Sequence, residues 1–289
     1  MSTALDAGPR LVHTRAEVRE QVAAWRAAGE RVALVPTMGY LHEGHMSLVD
    51  RAREMADRVA MSVFVNPLQF APSDDLDRYP RDLDRDLAMA GARGVDLVFA
   101  PDPREMYPRG TPQVLVEPGP LAARMEGAIR PGHFRGVLTV VAKLFGLFRP
   151  DVAVFGQKDY QQAALIRRMS VDLDMGVWVE VAPIVRDPDG LAMSSRNVYL
   201  SPDERALALA LSRGLRRGRD LFAAGERDAG ALRAALRGAL GTAGVQAEYA
   251  EAVDPDTLEP VAAAAPGTVL LVAARVGSTR LIDNEVLAG

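Results

Sequence analysis

The sequence predicts an α/β protein, a Rossmann-like doubly wound parallel sheet followed by a smaller C-terminal α+β domain, and three observations carry that prediction. Short apolar runs alternate with helix-periodic stretches from Val32 to about residue 184. The unusual polar residues gather in the loops after those apolar runs, where a parallel sheet binds its ligands. After Arg196 the texture changes to two long helical stretches and then three strand-like runs.

Each element has a local cause. Thr14-Arg15-Ala16-Glu17 is a capping-box pattern, with Val18, Val22 and Trp25 at helical spacing and Gly29 as a stop, which predicts a helix over 15–28. Arg31-Val32-Ala33-Leu34-Val35-Pro36 reads as a buried strand, His42-Glu43-Gly44-His45 as the turn after it, and Met46, Val49, Ala52 and Ala56 as the inner face of the next helix. A second strand is expected over 59–65, an acidic helix near 82–92 and a third strand over 95–101. A helix over 136–148, a strand over 152–155, a helix over 159–170 and a strand near 177–184 continue the alternation. Ser201-Pro202-Asp203-Glu204 then opens helices over 203–223 and 228–241, before strands near 246–253, 268–276 and 279–284. The expected division is a catalytic domain over 1–185 and a smaller C-terminal lid over 186–289, with a hinge near Asp187-Pro188-Asp189-Gly190.

Composition narrows the function classes. At 289 residues, 48% hydrophobic and 25% charged, the chain has the make-up of an ordinary globular protein. The formal charge is 34 minus 38, or −4, so no global basic field marks it for nucleic acid. With no cysteine there is no disulfide, thiol nucleophile or iron–sulfur ligand. The stretch Met1–Arg10 lacks the basic-then-apolar plan of a signal peptide, and no apolar run reaches the roughly 20 residues of a membrane helix, so the expected compartment is the cytoplasm.

Chemistry concentrates in a few segments. His42 and His45, two of only 4 histidines, stand three residues apart where a strand passes into a helix. Gly44 allows close approach of a ligand to the backbone, the first amides of a helix attract anions, and imidazole supplies a donor or a charge near neutral pH. That is a place for phosphate. A zinc site is the weaker reading, since zinc takes three or four protein ligands and His13 and His133 lie in unrelated contexts. Gly156-Gln157-Lys158-Asp159 follows a strand and offers a mobile ammonium, with Asp159 as helix cap or ribose ligand. Met193-Ser194-Ser195-Arg196 presents two hydroxyls and a guanidinium suited to a polyphosphate whose charge grows as pyrophosphate departs. Asn66 and Gln69 fall on the ligand side of the sheet, where amides can read hydroxyl and carboxylate groups. Arg130 and His133 add polar side chains ahead of the next helix.

Taken together, five segments carry a resemblance. Pro36-Thr37-Met38-Gly39-Tyr40-Leu41-His42-Glu43-Gly44-His45, Phe64-Val65-Asn66-Pro67-Leu68-Gln69-Phe70, Arg130-Pro131-Gly132-His133-Phe134-Arg135-Gly136-Val137, Gly156-Gln157-Lys158-Asp159-Tyr160-Gln161-Gln162 and Ser194-Ser195-Arg196-Asn197 occur in that order. Over Val32 to Leu200 the chain resembles the pantothenate synthetases, the pantoate–β-alanine ligases of the HxGH nucleotidyltransferase superfamily. The resemblance implies an ATP-dependent condensation of pantoate with β-alanine through pantoyl adenylate, releasing pyrophosphate and AMP, in a magnesium-dependent homodimer. It implies ATP contacts at Met38, Gly39, His42, Gly44, His45, Gly156, Lys158, Asp159, Val185, Met193, Ser194, Ser195 and Arg196. His45 takes the family's catalytic histidine position, with His42, Lys158, Ser194, Ser195 and Arg196 around the transferring phosphate. Gln69 and Gln162 correspond to the glutamines that hold pantoate, and Asn66, Arg130 and His133 join them on the pantoate and β-alanine side. One place departs from the family pattern: where adjacent acids are expected near the metal, this chain has Arg85 followed by Asp86, which leaves Asp86 as the candidate metal contact. The alternatives are an adenylyl- or cytidylyltransferase of the same superfamily, and a nucleotide-sensing or tRNA-binding module that kept the fold without the reaction. The intact His, Lys, Ser and Arg set and the net charge of −4 speak against the latter.

Overall fold

The structure is a computed structural model that describes residues 8–71 and 76–289, so most of the N-terminal stretch read above lies outside the described residues. The chain divides into two compact units: residues up to Gly156 with Leu165–Ala182, and Gln157–Ala164 with Pro183–Gly289.

In the first unit the strands are β1 (Arg10–Val12), β2 (Val32–Thr37), β3 (Arg58–Val63), β4 (Leu97–Phe99), β5 (Val152–Gly156) and β6 (Trp178–Ala182). They form one sheet in the order β1-β4-β3-β2-β5-β6, every pair parallel. The chain steps outward from β2 to β3 and β4, then returns to lay β5 on the other side of β2. Strand order therefore reverses between β2 and β5, and the carboxyl ends of those two strands are where an open parallel sheet leaves its crevice. Around the sheet run α1 (Arg15–Ala27), α2 (Glu43–Met55), α3 (Leu83–Ala92), the short α4 (Pro103–Met106) and α5 (Glu126–Ile129), and α6 (His133–Phe148). Helix α7 (Tyr160–Asp172) gives its first residues to the second unit and the rest to the first.

The cause of each element is largely the one expected. Thr14 and Glu17 close a capping box at the start of α1. Val32 to Val35 are fully buried, as a central parallel strand requires, and Met46, Val49 and Ala52 of α2 pack in one core with Val59, Met61, Val98, Val152 and Val154. Three details differ. Ala56 is the half-buried C-cap of α2, just past the helix, and still packs against that core. Helix α6 starts at His133, three residues before the expected start, because Gly132 caps it and Gly136 lies inside it. A Cβ on Gly136 would stand 2.2 Å from the Leu68 carbonyl oxygen, so the glycine is there for close approach and not to break the helix. Strand β1 has only three residues, too few to show a period in sequence.

The second unit opens with a tight hairpin in which Met193 N–H donates to the Val185 carbonyl and Asp187 N–H to that of Leu191. Helices α8 (Pro202–Ala223) and α9 (Ala229–Thr242) follow, then β7 (Ala247–Val253), β8 (Val269–Val276) and β9 (Thr279–Val286) in an antiparallel sheet of order β7-β8-β9. Ser201 and Glu204 form the capping box of α8. Leu211, Leu215, Leu232, Leu236 and Leu240 from the helices bury against Leu270 and Val272 of the sheet. Among the described residues no helix is long and apolar enough to cross a membrane.

Candidate active site

In the first unit the site grows from the carboxyl end of β2. Thr37 Oγ1 donates to the Ser62 carbonyl at 2.7 Å and accepts from Gly39 N–H at 3.1 Å, turning the chain sharply as the strand ends. Gly39 has φ +83°, and a Cβ on it would stand 2.9 Å from both Asp86 Oδ2 and Val63 Cγ1. Tyr40 also has positive φ. The strain of that turn is offset by Asp86, which reaches from α3 to accept Tyr40 N–H at 2.8 Å and Leu41 N–H at 2.7 Å. Burial pushes the Asp86 carboxyl above its ordinary value, while the Leu41 and Tyr40 amides pull the other way. Its neighbour Arg85 lies over the Tyr40 ring at 5.1 Å. Asp86, the candidate metal contact, thus has each oxygen occupied by a loop amide. Among the described residues no group of three or more His, Asp or Glu is placed to hold a metal ion.

This loop delivers His42 as the N-cap of α2 and His45 one turn in. Their rings stand 4.0 Å apart between centroids, tilted by 41°. The His42 N–H donates to His45 Nδ1 at 3.3 Å, which makes Nδ1 the acceptor and leaves Nε2 to carry the ring hydrogen of the neutral form. The first amides of α2 and the positive end of its dipole belong to the same helix start.

Beside it lies an amide relay. Asn66 caps the one-turn helix Pro67–Gln69 that follows β3. Asn66 is 1% exposed. Its Nδ2 donates to the Gly136 carbonyl and to Gln69 Oε1, both at 3.1 Å, and its Oδ1 accepts from Tyr107 Oη–H at 2.7 Å and from Leu68 N–H at 3.3 Å. Gln69 Nε2 donates to Met38 Sδ at 3.1 Å. His133 Nδ1–H donates to the Gln69 carbonyl at 2.8 Å, so its Nε2 is the acceptor that meets Arg130 Nη1 at 3.1 Å. A cleft of 220 Å³ opens here between Leu68–Ala71 and Arg130–Arg135. The structure therefore brings Met38, Asn66, Gln69, Arg130 and His133 into one connected group.

The second unit carries the other candidates. Gln157–Asp159 form a single 3-10 turn, with Lys158 half-buried and Asp159 exposed, and α7 begins at the next residue. Asn284 on β9 clamps that turn: its Nδ2 donates to the carbonyls of Gln157 and Lys158 at 2.9 and 3.0 Å, and its Oδ1 accepts from Gln157 Nε2 at 3.0 Å. Next to it Asp283, almost wholly buried, receives Arg186 in a two-pronged ion pair at 2.6 and 3.0 Å. Burial pushes the Asp283 carboxyl up, against the pull of Arg186. The hairpin from Val185 to Met193 is pinned by Arg205, whose guanidinium reaches Asp187 at 2.7 Å and Asp189 at 2.8 Å. From this hairpin Ser194 caps the one-turn helix Ser195–Tyr199 by accepting Arg196 N–H, and Asn197 ties back to the Ala192 carbonyl. Ser195 is buried and Arg196 half-buried. Gln162 lies on the same unit's part of α7, half-buried.

Five supporting residues escaped the sequence reading: Tyr107, Arg186, Arg205, Asp283 and Asn284. None belongs to a motif: Tyr107 stands near Glu105 and Arg109, Arg186 adjoins Asp187, and Asp283 and Asn284 adjoin each other and Glu285, so no local pattern singles them out.

Comparison with known proteins follows the same outline. Residues 10–286 match the family model described as pantoate-beta-alanine ligase. A pantothenate synthetase of a Nocardioides species is 57% identical, the match covering 97% of this chain and 86% of the relative. One from Roseiflexus sp. is 54% identical over 96% of this chain and 99% of the relative. Among solved structures, a pantothenate synthetase of Thermus thermophilus superposes with a TM-score of 0.90 at 49% identity, covering 97% of this chain and 100% of that one. A pantoate-beta-alanine ligase of Francisella tularensis, complexed with beta-gamma ATP and beta-alanine, superposes with a TM-score of 0.81 at 30% identity, covering 96% and 97%.

Proposed function

Since the chain belongs to the pantoate–β-alanine ligase family, we propose that it joins (R)-pantoate to β-alanine at the expense of ATP by way of a pantoyl-adenylate intermediate. The observation that carries this reading is the histidine pair at the end of β2, where the strand order reverses, with His45 Nδ1 taken by a backbone amide and Nε2 left as donor.

The pantoate carboxylate attacks the α-phosphorus, the bond to the β,γ-diphosphate breaks, and pyrophosphate leaves. The β-alanine amine then attacks the acyl carbon of the mixed anhydride, AMP leaves and the amine loses a proton. No protein nucleophile is needed, so positioning and charge stabilisation are what the protein supplies. In this assignment His45 and His42 donate to the α-phosphate, and Lys158, Ser194, Ser195 and Arg196 neutralise the departing pyrophosphate. Met38, Gly39, Gly44, Gly156, Asp159, Val185 and Met193 hold the rest of ATP, largely through backbone. Gln69 and Gln162 hold pantoate, Asn66, Arg130 and His133 join them on the pantoate and β-alanine side, and Asn66 also keeps the Gln69 amide in place. Magnesium, when bound, would supply positive charge on the phosphates, held chiefly by ATP oxygens, with Asp86, whose oxygens each accept one loop amide, as the candidate protein contact. The reading extends to a cytoplasmic homodimer.

Incubation with ATP, pantoate and β-alanine tests the proposal. AMP and pantothenate are expected in equal amounts, and pantoate alone supports exchange of labelled pyrophosphate into ATP. A nucleotide-containing product formed without the amine and stable to it would instead identify a nucleotidyltransferase.

A further inference from the structure

The chemistry of the Gln69 amide depends on which end it turns toward a substrate, since its oxygen repels a carboxylate and its NH2 binds one. Three protein contacts decide the matter through Asn66. Leu68 N–H fixes Oδ1 at one end of that amide, the Gly136 carbonyl fixes Nδ2 at the other, and Tyr107 Oη–H, able only to donate to an oxygen already so placed, adds the shortest contact of the set at 2.7 Å. Asn66 Nδ2 then claims Gln69 Oε1, and the Gln69 NH2 is left toward Met38 Sδ, a weak acceptor that a carboxylate readily replaces. Tyr107 is well placed to anchor such a chain. It is 8% exposed, its ring packs against Phe64 at 6.1 Å, and burial holds its hydroxyl proton on far beyond neutral pH.

We propose that Tyr107 is a positioning residue for pantoate: through Asn66 its hydroxyl holds the Gln69 amide with the NH2 end presented to the substrate. The proposal rests on the reading that Gln69 binds pantoate, and the experiment separates the two. Steady-state kinetics are measured for Tyr107→Phe, Gln69→Ala and the double variant. Tyr107→Phe removes one oxygen and keeps the ring, and KM is insensitive to any fraction of the sample that fails to fold. Loss of one hydrogen bond in the chain is expected to raise KM for pantoate by about 3- to 10-fold in Tyr107→Phe, with KM for ATP unchanged. Gln69→Ala is expected to raise it further, and the double variant to match Gln69→Ala, because Tyr107 has nothing left to orient. If Tyr107→Phe leaves KM for pantoate unchanged, or if the two effects multiply in the double variant, Tyr107 does not act through Gln69 and the inference falls. If Gln69→Ala itself leaves KM for pantoate unchanged, the assignment of Gln69 fails and takes this inference with it.

Discussion

Single residues here owe their chemistry to what the backbone does to them. The His42 amide, by occupying His45 Nδ1, decides which nitrogen of the catalytic candidate carries hydrogen in the neutral ring. His45→Ala is therefore expected to lower pyrophosphate release from ATP and pantoate by about 100-fold, the scale of losing one preorganised donor at a developing charge; near-normal exchange of labelled pyrophosphate would remove His45 from that role. Gly136 illustrates the opposite dependence, of a turn on the absence of a side chain. A Cβ there would meet Leu68 O at 2.2 Å, so Gly136→Ala is expected to cost about 1–3 kcal/mol, read as a lower midpoint of thermal unfolding, and to weaken pantoate binding because the displaced turn carries Gln69.

At the scale of elements, the hairpin from Val185 to Met193 shows how a turn that leads into Ser194–Arg196 is tied down. Arg205 on α8 pairs with Asp187 and Asp189, and its hydrogen bond holds the Asp189 carboxyl below the ordinary value of 3.8. A carboxylate whose pKa is depressed on folding contributes stability above its ordinary pKa and loses it as pH falls through the depressed value. Asp189→Asn keeps an acceptor for Leu191 N–H, removes the charge, and replaces the oxygen that accepts Arg205 Nε–H by an NH2. The variant is expected to melt below the parent at pH 7, with the two curves converging in acid well under 3.8; a difference that persists there would assign the effect to geometry. The 3-10 turn Gln157–Asp159 has a different support, the Asn284 amide, which uses both its ends on that one turn.

For the whole molecule the assignment predicts coupling between ligand and stability: ATP at about 100 times its Kd is expected to add about 2.7 kcal/mol to folding, and Lys158→Ala to reduce the shift in melting temperature at the same ATP concentration. Light scattering is expected to give twice the mass of one chain, and a mass of one chain would refute the homodimer. The parallel alternation, the capping boxes at Thr14 and Ser201, and the placing of His42 and His45 between strand and helix were all legible in the sequence. Each is a local property, decided by side chains within one or two turns of each other, and apolar period and cap chemistry survive in any chain that contains them. Other features depended on the path by which the chain returns. The order β1-β4-β3-β2-β5-β6, with its reversal at β2 and β5, joins segments far apart in sequence. Asp86 was legible as an acid but not as the acceptor of amides 45 and 46 residues away, and Asn66 was legible as an amide but not as one enclosed by Tyr107 and Gly136. The sequence by itself determined which chemical groups stand at the candidate site; the tertiary structure alone decided which way they face, because orientation is set by hydrogen bonds between residues that only the folded chain makes neighbours.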